Sequence, residues 1–399
     1  MTSDLSQGAT EGARLAESGL GALRRGDFKT AEVLFETAAA ADPAAVGLRL
    51  NLAAARRGQG LVKEALEAVE GALALDPRSF LALLMKASLF ERQGEVRKAG
   101  AAYGVALTQA PPAELLDPPT RKAAEHAKAA YARYTEDLAA ALVADGALGA
   151  KRGPEAERMR IFQDRLTGRR RIYRQEPAQF AYPDLPAIEF YDRSHFPWLA
   201  DLEAAGDLIR REFMQAMESG AAEAEFTPYV EYPPGVPVDQ WAELNHSPRW
   251  TAYHLFKNGA AVNDHCAACP RTVEALSGLP QPVAPRRSPN AMYSLLQPRT
   301  RIPPHTGVSN TRLVVHLPLV VPEGCGFRVG ASTRPWRLGE AFVFDDTIEH
   351  EAWNEGDRWR AVLIFDVWSP FLTETEKEGI VEVMRRLDAF HGGAAADGL

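Results

Sequence analysis

Small and apolar residues recur every 34 positions through the first third of the chain. Gly26, Gly60 and Gly94 form one such column, Ala31, Ala65 and Ala99 a second, and Ala38, Ala72 and Ala106 a third. Phe35, Val69 and Tyr103 stand in register with them, as do Pro43, Pro77 and Pro111, while Gly19, Ala53 and Ala87 keep a further small-residue column. Each unit predicts two helices. Alanine lets them cross closely, and the larger residue fills the gap between them. Glycine ends the first helix in a left-handed conformation, and proline stops the second. Helical spacing continues over 118–146, 198–220 and 270–278. From about residue 288 the pattern shortens to β-rich runs at 291–296, 312–321, 326–330, 341–345 and 361–368, separated by Gly, Pro and Asn. Thr373 and Glu376 make a capping-box pair for a last helix ending near Phe390.

The 34-residue period resembles the tetratricopeptide repeat. Three such units imply a short superhelix with a concave face able to bind a peptide or protein. The predicted architecture is multidomain α + β, an N-terminal repeat solenoid followed by a β-sandwich of jelly-roll type. Residues 1–11 are expected to be disordered, 12–115 to hold the three repeats, 116–185 a helical cap and linker, 186–372 the strand-rich domain, and 373–399 the final helix and tail. All seven tryptophans lie at Trp198 or later, which agrees with the division.

Composition narrows the class. The formal net charge of −8 offers no footprint for nucleic acid. The basic run Arg165 to Arg174 has acidic and apolar flanks and reads as a solvated linker or helix face. No apolar run approaches the length of a membrane span. The N-terminus has neither the basic nor the apolar part of a secretory signal, and three cysteines are too few for a disulfide scaffold. A cytoplasmic setting is the expectation.

Candidate chemistry lies in the back domain. Alternation puts Arg312, Val314 and His316 on one face of their strand, and Arg360, Val362, Ile364 and Asp366 on one face of another. A guanidinium on an apolar face needs an anion, and its fork suits a carboxylate. That anion is either an internal partner such as Asp345 or Asp346, or an organic acid. His305 follows Pro303 and Pro304, and His350 follows Phe342 to Phe344 and the acidic pair. Two imidazoles at strand mouths suit Fe(II) with open positions for other ligands. The carboxylate that usually sits two residues after the first histidine is absent, because Gly307 stands there. His246, His254 and His265 either line the barrel entrance or serve packing. Cys266 and Cys269 have metal-like spacing without a second pair, and Cys325 reads as a strand-edge thiol.

These residues resemble the aspartyl/asparaginyl β-hydroxylase family of Fe(II)- and 2-oxoglutarate-dependent oxygenases. The carrying motifs are His305-Thr306-Gly307, Asn310-Thr311-Arg312 through His316-Leu317, Phe344-Asp345-Asp346 through His350-Glu351 with Trp353, and Arg360 through Asp366-Val367-Trp368. The resemblance covers roughly 185–372. It implies a double-stranded β-helix of the cupin-like kind. It implies iron held by His305 and His350, with glycine at the carboxylate position as in the family's aspartyl hydroxylases. It implies 2-oxoglutarate held by Arg360, Ser294 and His316, with O2 as the second co-substrate. Asp346 would orient His350 or meet substrate, with Arg312 beside it. One departure touches substrate choice, since Val314 stands where family members carry a second arginine. The leading expectation is a hydroxylase acting on an aspartyl, asparaginyl or other residue of a protein or peptide brought by the repeats. The alternatives are a small-molecule or lipid-acyl hydroxylase, and a non-catalytic interaction protein.

Overall fold

The structure is a computed structural model that describes residues 2–143, 153–218 and 225–391. The chain divides into two compact units, residues 1–170 and 171–399.

The first unit is helical. α1 (Thr2–Arg24) packs on α2 (Phe28–Ala41), α3 (Val46–Gly58) on α4 (Val62–Leu75), and α5 (Phe80–Arg92) on α6 (Val96–Leu107). α7 (Pro118–Val143) packs on α6, and α8 (Pro154–Leu166) follows. The three column glycines all take positive φ, +78°, +80° and +77°, and each turns the chain from one helix into its partner. The alanine columns are buried together with Phe35, Val69 and Tyr103, and burying a side chain of that size contributes about 1.5–3 kcal/mol. A Cβ on Gly19 would stand 2.8 Å from the Phe35 ring, which explains the small residue there. α1 begins at Thr2, so the N-terminal disorder expected over 1–11 is not what residues 2–11 show; Met1 lies outside the described residues. So do 144–146 of the predicted capping helices.

The second unit holds two antiparallel sheets. Its strands are β1 (Thr227–Pro228), β2 (Trp250–Lys257), β3 (Ala260–Ala261), β4 (Ala291–Leu296), β5 (Thr300–His305), β6 (Arg312–Val320), β7 (Cys325–Val329), β8 (Ser332–Arg334), β9 (Phe342–Phe344), β10 (His350–Asn354) and β11 (Arg360–Trp368). The larger sheet has the order β1-β2-β4-β11-β6-β9, with β3 on β2; the smaller runs β5-β10-β7-β8. One face of the larger sheet, including Leu313, Val315, Leu317, Leu363 and Phe365, is covered by α9 (Leu199–Ala204), α10 (Gly206–Glu218) and α12 (Pro270–Ser277), the last preceded by the short α11 (Asn263–Ala268). The other face, with Val314, Val362, Leu296 and Trp250, meets Ile302, Phe327, Val329 and Ala352 of the smaller sheet. Both faces are thus buried, which is why β6 and β11 read as nearly continuous apolar runs. The two facing antiparallel sheets give the β-sandwich expected and are consistent with a jelly roll, and α13 (Glu374–Phe390) follows the predicted capping box. Residues 219 and 220 of the helix expected at 198–220 lie outside the described residues.

The predicted linker needs correction at its C-terminal end. Residues 171–185 belong to the second unit. The Glu176 N–H donates to the Thr347 carbonyl at 2.8 Å, the Ala178 N–H to Gly307 at 2.9 Å and the Phe180 N–H to Val308 at 3.0 Å. This segment therefore braces the loop that carries Gly307.

Candidate active site

β5 ends and β10 begins at the two histidines. In that antiparallel register His305 stands opposite His350, and the ring centroids lie 4.0 Å apart. His305 Nδ1 is 2.8 Å from the Pro303 carbonyl and His350 Nδ1 is 3.1 Å from the Ile348 carbonyl. A carbonyl can only accept, so each Nδ1 carries the proton and each Nε2 presents a lone pair. Burial keeps both rings neutral. It pushes His350 down to about 4, and it holds His305, which also faces His350, well below the usual imidazole range. Phe327 and Phe344 flank His350, and Trp241 stands edge-on to His305.

Gly307 has a steric reason. A Cβ there would fall inside the carboxylate of Asp346, whose own backbone carbonyl accepts from the Gly307 N–H at 2.6 Å. The place of the missing ligand side chain is filled by a carboxylate from another loop. Asp346 Oδ2 lies 3.2 Å from Arg312 Nη2, while Oδ1 has no protein partner. Arg312 Nε also faces Asp366 at 3.9 Å. Asp366 is fixed by the Ser288 hydroxyl at 2.6 Å and the Asn290 N–H at 2.8 Å.

Deeper between the sheets lies Arg360, 1% exposed, with Nε and Nη1 unpartnered. The internal salt bridge weighed for it is not formed. Asp345 instead accepts from Gln175 Nε2 at 2.5 Å and from the Thr347 hydroxyl at 2.6 Å, and Asp346 pairs with Arg312. Burial without a carboxylate lowers the Arg360 pKa to about 10. Ser294 lies on the neighbouring β4, two positions from the residue opposite Arg360, and thus on the same face. Its Oγ accepts from Trp250 Nε1 at 3.0 Å, which leaves the hydroxyl hydrogen free to donate. His316, on β6, is buried among Phe327, Phe342 and Phe344 with Nδ1 unpartnered. Burial and the nearby Arg360 hold it neutral.

These positions suit the groups the sequence implies. Two neutral imidazoles with bared Nε2 atoms fit a divalent transition metal, and a buried guanidinium with two idle donors fits an organic carboxylate. No group of three or more His, Cys, Asp or Glu side chains at ligating distance occurs among the described residues. Of the remaining candidates, two histidines are engaged elsewhere. His246 Nε2 meets the Tyr232 carbonyl, and His265 stacks on Tyr253 with Nδ1 on the His254 carbonyl. His254 is half-buried, and the desolvation lowers it to about 4. Cys266, Cys269 and Cys325 are all free thiols. The sequence reading missed Trp250, Trp336 and Gln175. No period-two alternation marks the first, and nothing local marks the other two.

Fold and site together define a helical-repeat chain whose second unit is a β-sandwich enclosing a histidine pair and an orphan guanidinium. Residues 203–370, within the second unit, match the aspartyl/asparaginyl β-hydroxylase family profile. It is 33% identical over 180 residues to the human aspartyl/asparaginyl beta-hydroxylase, a match spanning 45% of this chain and 22% of that protein. It is 30% identical over 198 residues to the ornithine lipid ester-linked acyl 2-hydroxylase of Rhizobium tropici, spanning 49% of this chain and 66% of that one. The chain thus spans under a quarter of the human relative's length. The Arabidopsis OM64 TPR domain aligns with 33% of this chain and 99% of its own at 20% identity and a TM-score of 0.28.

Proposed function

We propose that the second unit is an Fe(II)- and 2-oxoglutarate-dependent hydroxylase. The observation that carries this reading is the histidine pair with both Nδ1 atoms committed to carbonyls, set in the same interior as a guanidinium without a carboxylate partner among the described residues. His305 and His350 would hold the metal through Nε2. Arg360 would take the distal carboxylate of 2-oxoglutarate, with Ser294 donating its hydroxyl and His316 adding a donor from Nδ1. Iron with its co-substrate would supply the reductive cleavage of O2, one oxygen atom entering succinate as 2-oxoglutarate loses CO2 and the other entering the substrate C–H as a hydroxyl. The protein's own part is placement and dryness. The Pro303 and Ile348 carbonyls fix the imidazole tautomers, and the aromatic wall of Phe327, Phe342 and Phe344 keeps water from the interior. Asp346, anchored by Arg312, directs a carboxylate oxygen at the position where a third ligand side chain would otherwise stand.

The substrate we propose is a residue of a protein or peptide, aspartyl or asparaginyl first, recruited by the repeat unit. A lipid-acyl substrate is the second reading, favoured by the similarity to the Rhizobium tropici enzyme. The test is release of succinate from 2-oxoglutarate by the Fe(II)-loaded full chain, followed by a search for a +16 Da product among peptides trapped on His350→Ala. No succinate under any condition, together with no anaerobic iron binding, removes the hydroxylase reading.

A further inference from the structure

Trp336 lies beyond β8, between the sheets, and is 5% exposed. Its Nε1–H is buried and has no partner. The indole is not simply filling space. The Arg360 guanidinium carbon sits 4.4 Å from the ring centroid, and His316 lies 6.2 Å away, inclined by only 29°. Phe327 backs the indole at 5.5 Å. Three neighbouring side chains therefore carry unpartnered buried donors, namely Arg360 Nε and Nη1, His316 Nδ1 in its donor tautomer, and Trp336 Nε1. Buried donors are almost always satisfied, and here every idle group can give a hydrogen. A single water accepts only two. A carboxylate offers two oxygens with about four lone-pair sites and also neutralises the guanidinium.

We infer that Trp336 is a co-substrate-positioning residue. Its ring face supports the Arg360 guanidinium, and its Nε1–H donates to the same distal carboxylate that Arg360 binds. This rests on the hydroxylase reading and adds to it a residue that the sequence motifs did not single out. Of the two contributions, the indole N–H can be separated from the ring face, because phenylalanine loses the donor and part of the ring volume but keeps an aromatic face, and benzothienylalanine keeps both rings and loses only the donor.

The test is anaerobic calorimetry on the full chain loaded with Mn(II), so that no turnover is needed. Two ligands are compared: 2-oxoglutarate, and 2-oxopentanoate, which has the same carbon chain without the distal carboxylate. Trp336→Phe is expected to weaken 2-oxoglutarate by about 10-fold, the scale of one hydrogen bond to a charged group, and to leave 2-oxopentanoate unchanged. Equal loss for both ligands, or no loss for either, overturns the inference. If Trp336→Phe melts far below the parent protein, benzothienylalanine at position 336 repeats the test, since it replaces only the N–H by sulfur. A parent protein that binds neither oxo acid overturns the hydroxylase reading itself, and with it this inference. A parent that prefers 2-oxoglutarate, with Trp336→Phe showing the same preference, overturns the role of Trp336 alone.

Discussion

The chemistry of this chain turns on a few side chains whose usual partners are withheld. Arg360 is the clearest case, a buried cation with no acid paired to it among the described residues. Hydrogen bonds to charged groups contribute about 1.5–3 kcal/mol each, so Arg360→Ala should raise the 2-oxoglutarate requirement about 100-fold or more; unchanged kinetics would dismiss the assignment. Gly307→Ala should be damaging at a position one methyl larger, because its Cβ lands on Asp346. Overpacking of this kind costs roughly 1–3 kcal/mol, and iron titration should show weaker binding than in the parent. The histidines set a pH window. His350 is lowered to about 4 from an ordinary value near 6.5, with His305 and His316 lowered in the same direction. Between those values the unfolded chain binds more protons than the folded one, so stability rises with pH across that interval and levels off above about 6.5. Thermal melts of the metal-free protein that fall on acidification from pH 7 to 5 would agree; a flat profile would contradict neutral burial of the three rings.

At the scale of elements, legibility followed periodicity. The repeat helices and the strands β4, β6, β7, β9 and β11 stand close to where the sequence placed them, because each has either a fixed 34-residue spacing or a strong apolar run. The two strands that carry the histidines were not predicted. β5 contains Pro303 and Pro304, which argue against a strand, but it lies at the edge of its sheet, where missing N–H donors are tolerated. β10 reads His-Glu-Ala-Trp-Asn, too short and polar to signal itself, and its buried Glu351 is neutralised from outside by Arg301 and Arg328. β2 was not predicted, since Trp250–Tyr253 are buried without a break and give no period-two signal. The faces of β6 and β11 were readable, so alternation put His316 on one face with Arg312 and Val314, and Arg360 on an apolar sheet face. The fate of the acidic pair could not, since Asp345 is satisfied by Gln175, 170 positions away in sequence. The capping box at Thr373 offers an element-level check: Thr373→Ala should lower the melting free energy by about 1 kcal/mol, while leaving oxo-acid binding unchanged.

For the whole molecule, the division into two compact units makes a separation test direct. A fragment beginning at residue 171 should bind Fe(II) and 2-oxoglutarate as the full chain does, and lose capture of a macromolecular substrate. Capture undiminished in the fragment would place recruitment in the barrel instead of the repeats. A fragment beginning at 186, the boundary the sequence suggested, should be markedly less stable, because it lacks the segment whose N–H groups bond Gly307, Val308 and Thr347.

The two histidines face each other as neighbours in one hydrogen-bonded ladder, with a bulge just past His350. Side chains on a strand alternate between faces, so a slip of one residue would send either ring to the opposite side. Insertions of a single residue within 300–305 or 350–354 should therefore abolish iron uptake, which an anaerobic iron titration would read. The juxtaposition of the two rings depends on the pairing of the two strands and not on the number of residues between them along the chain.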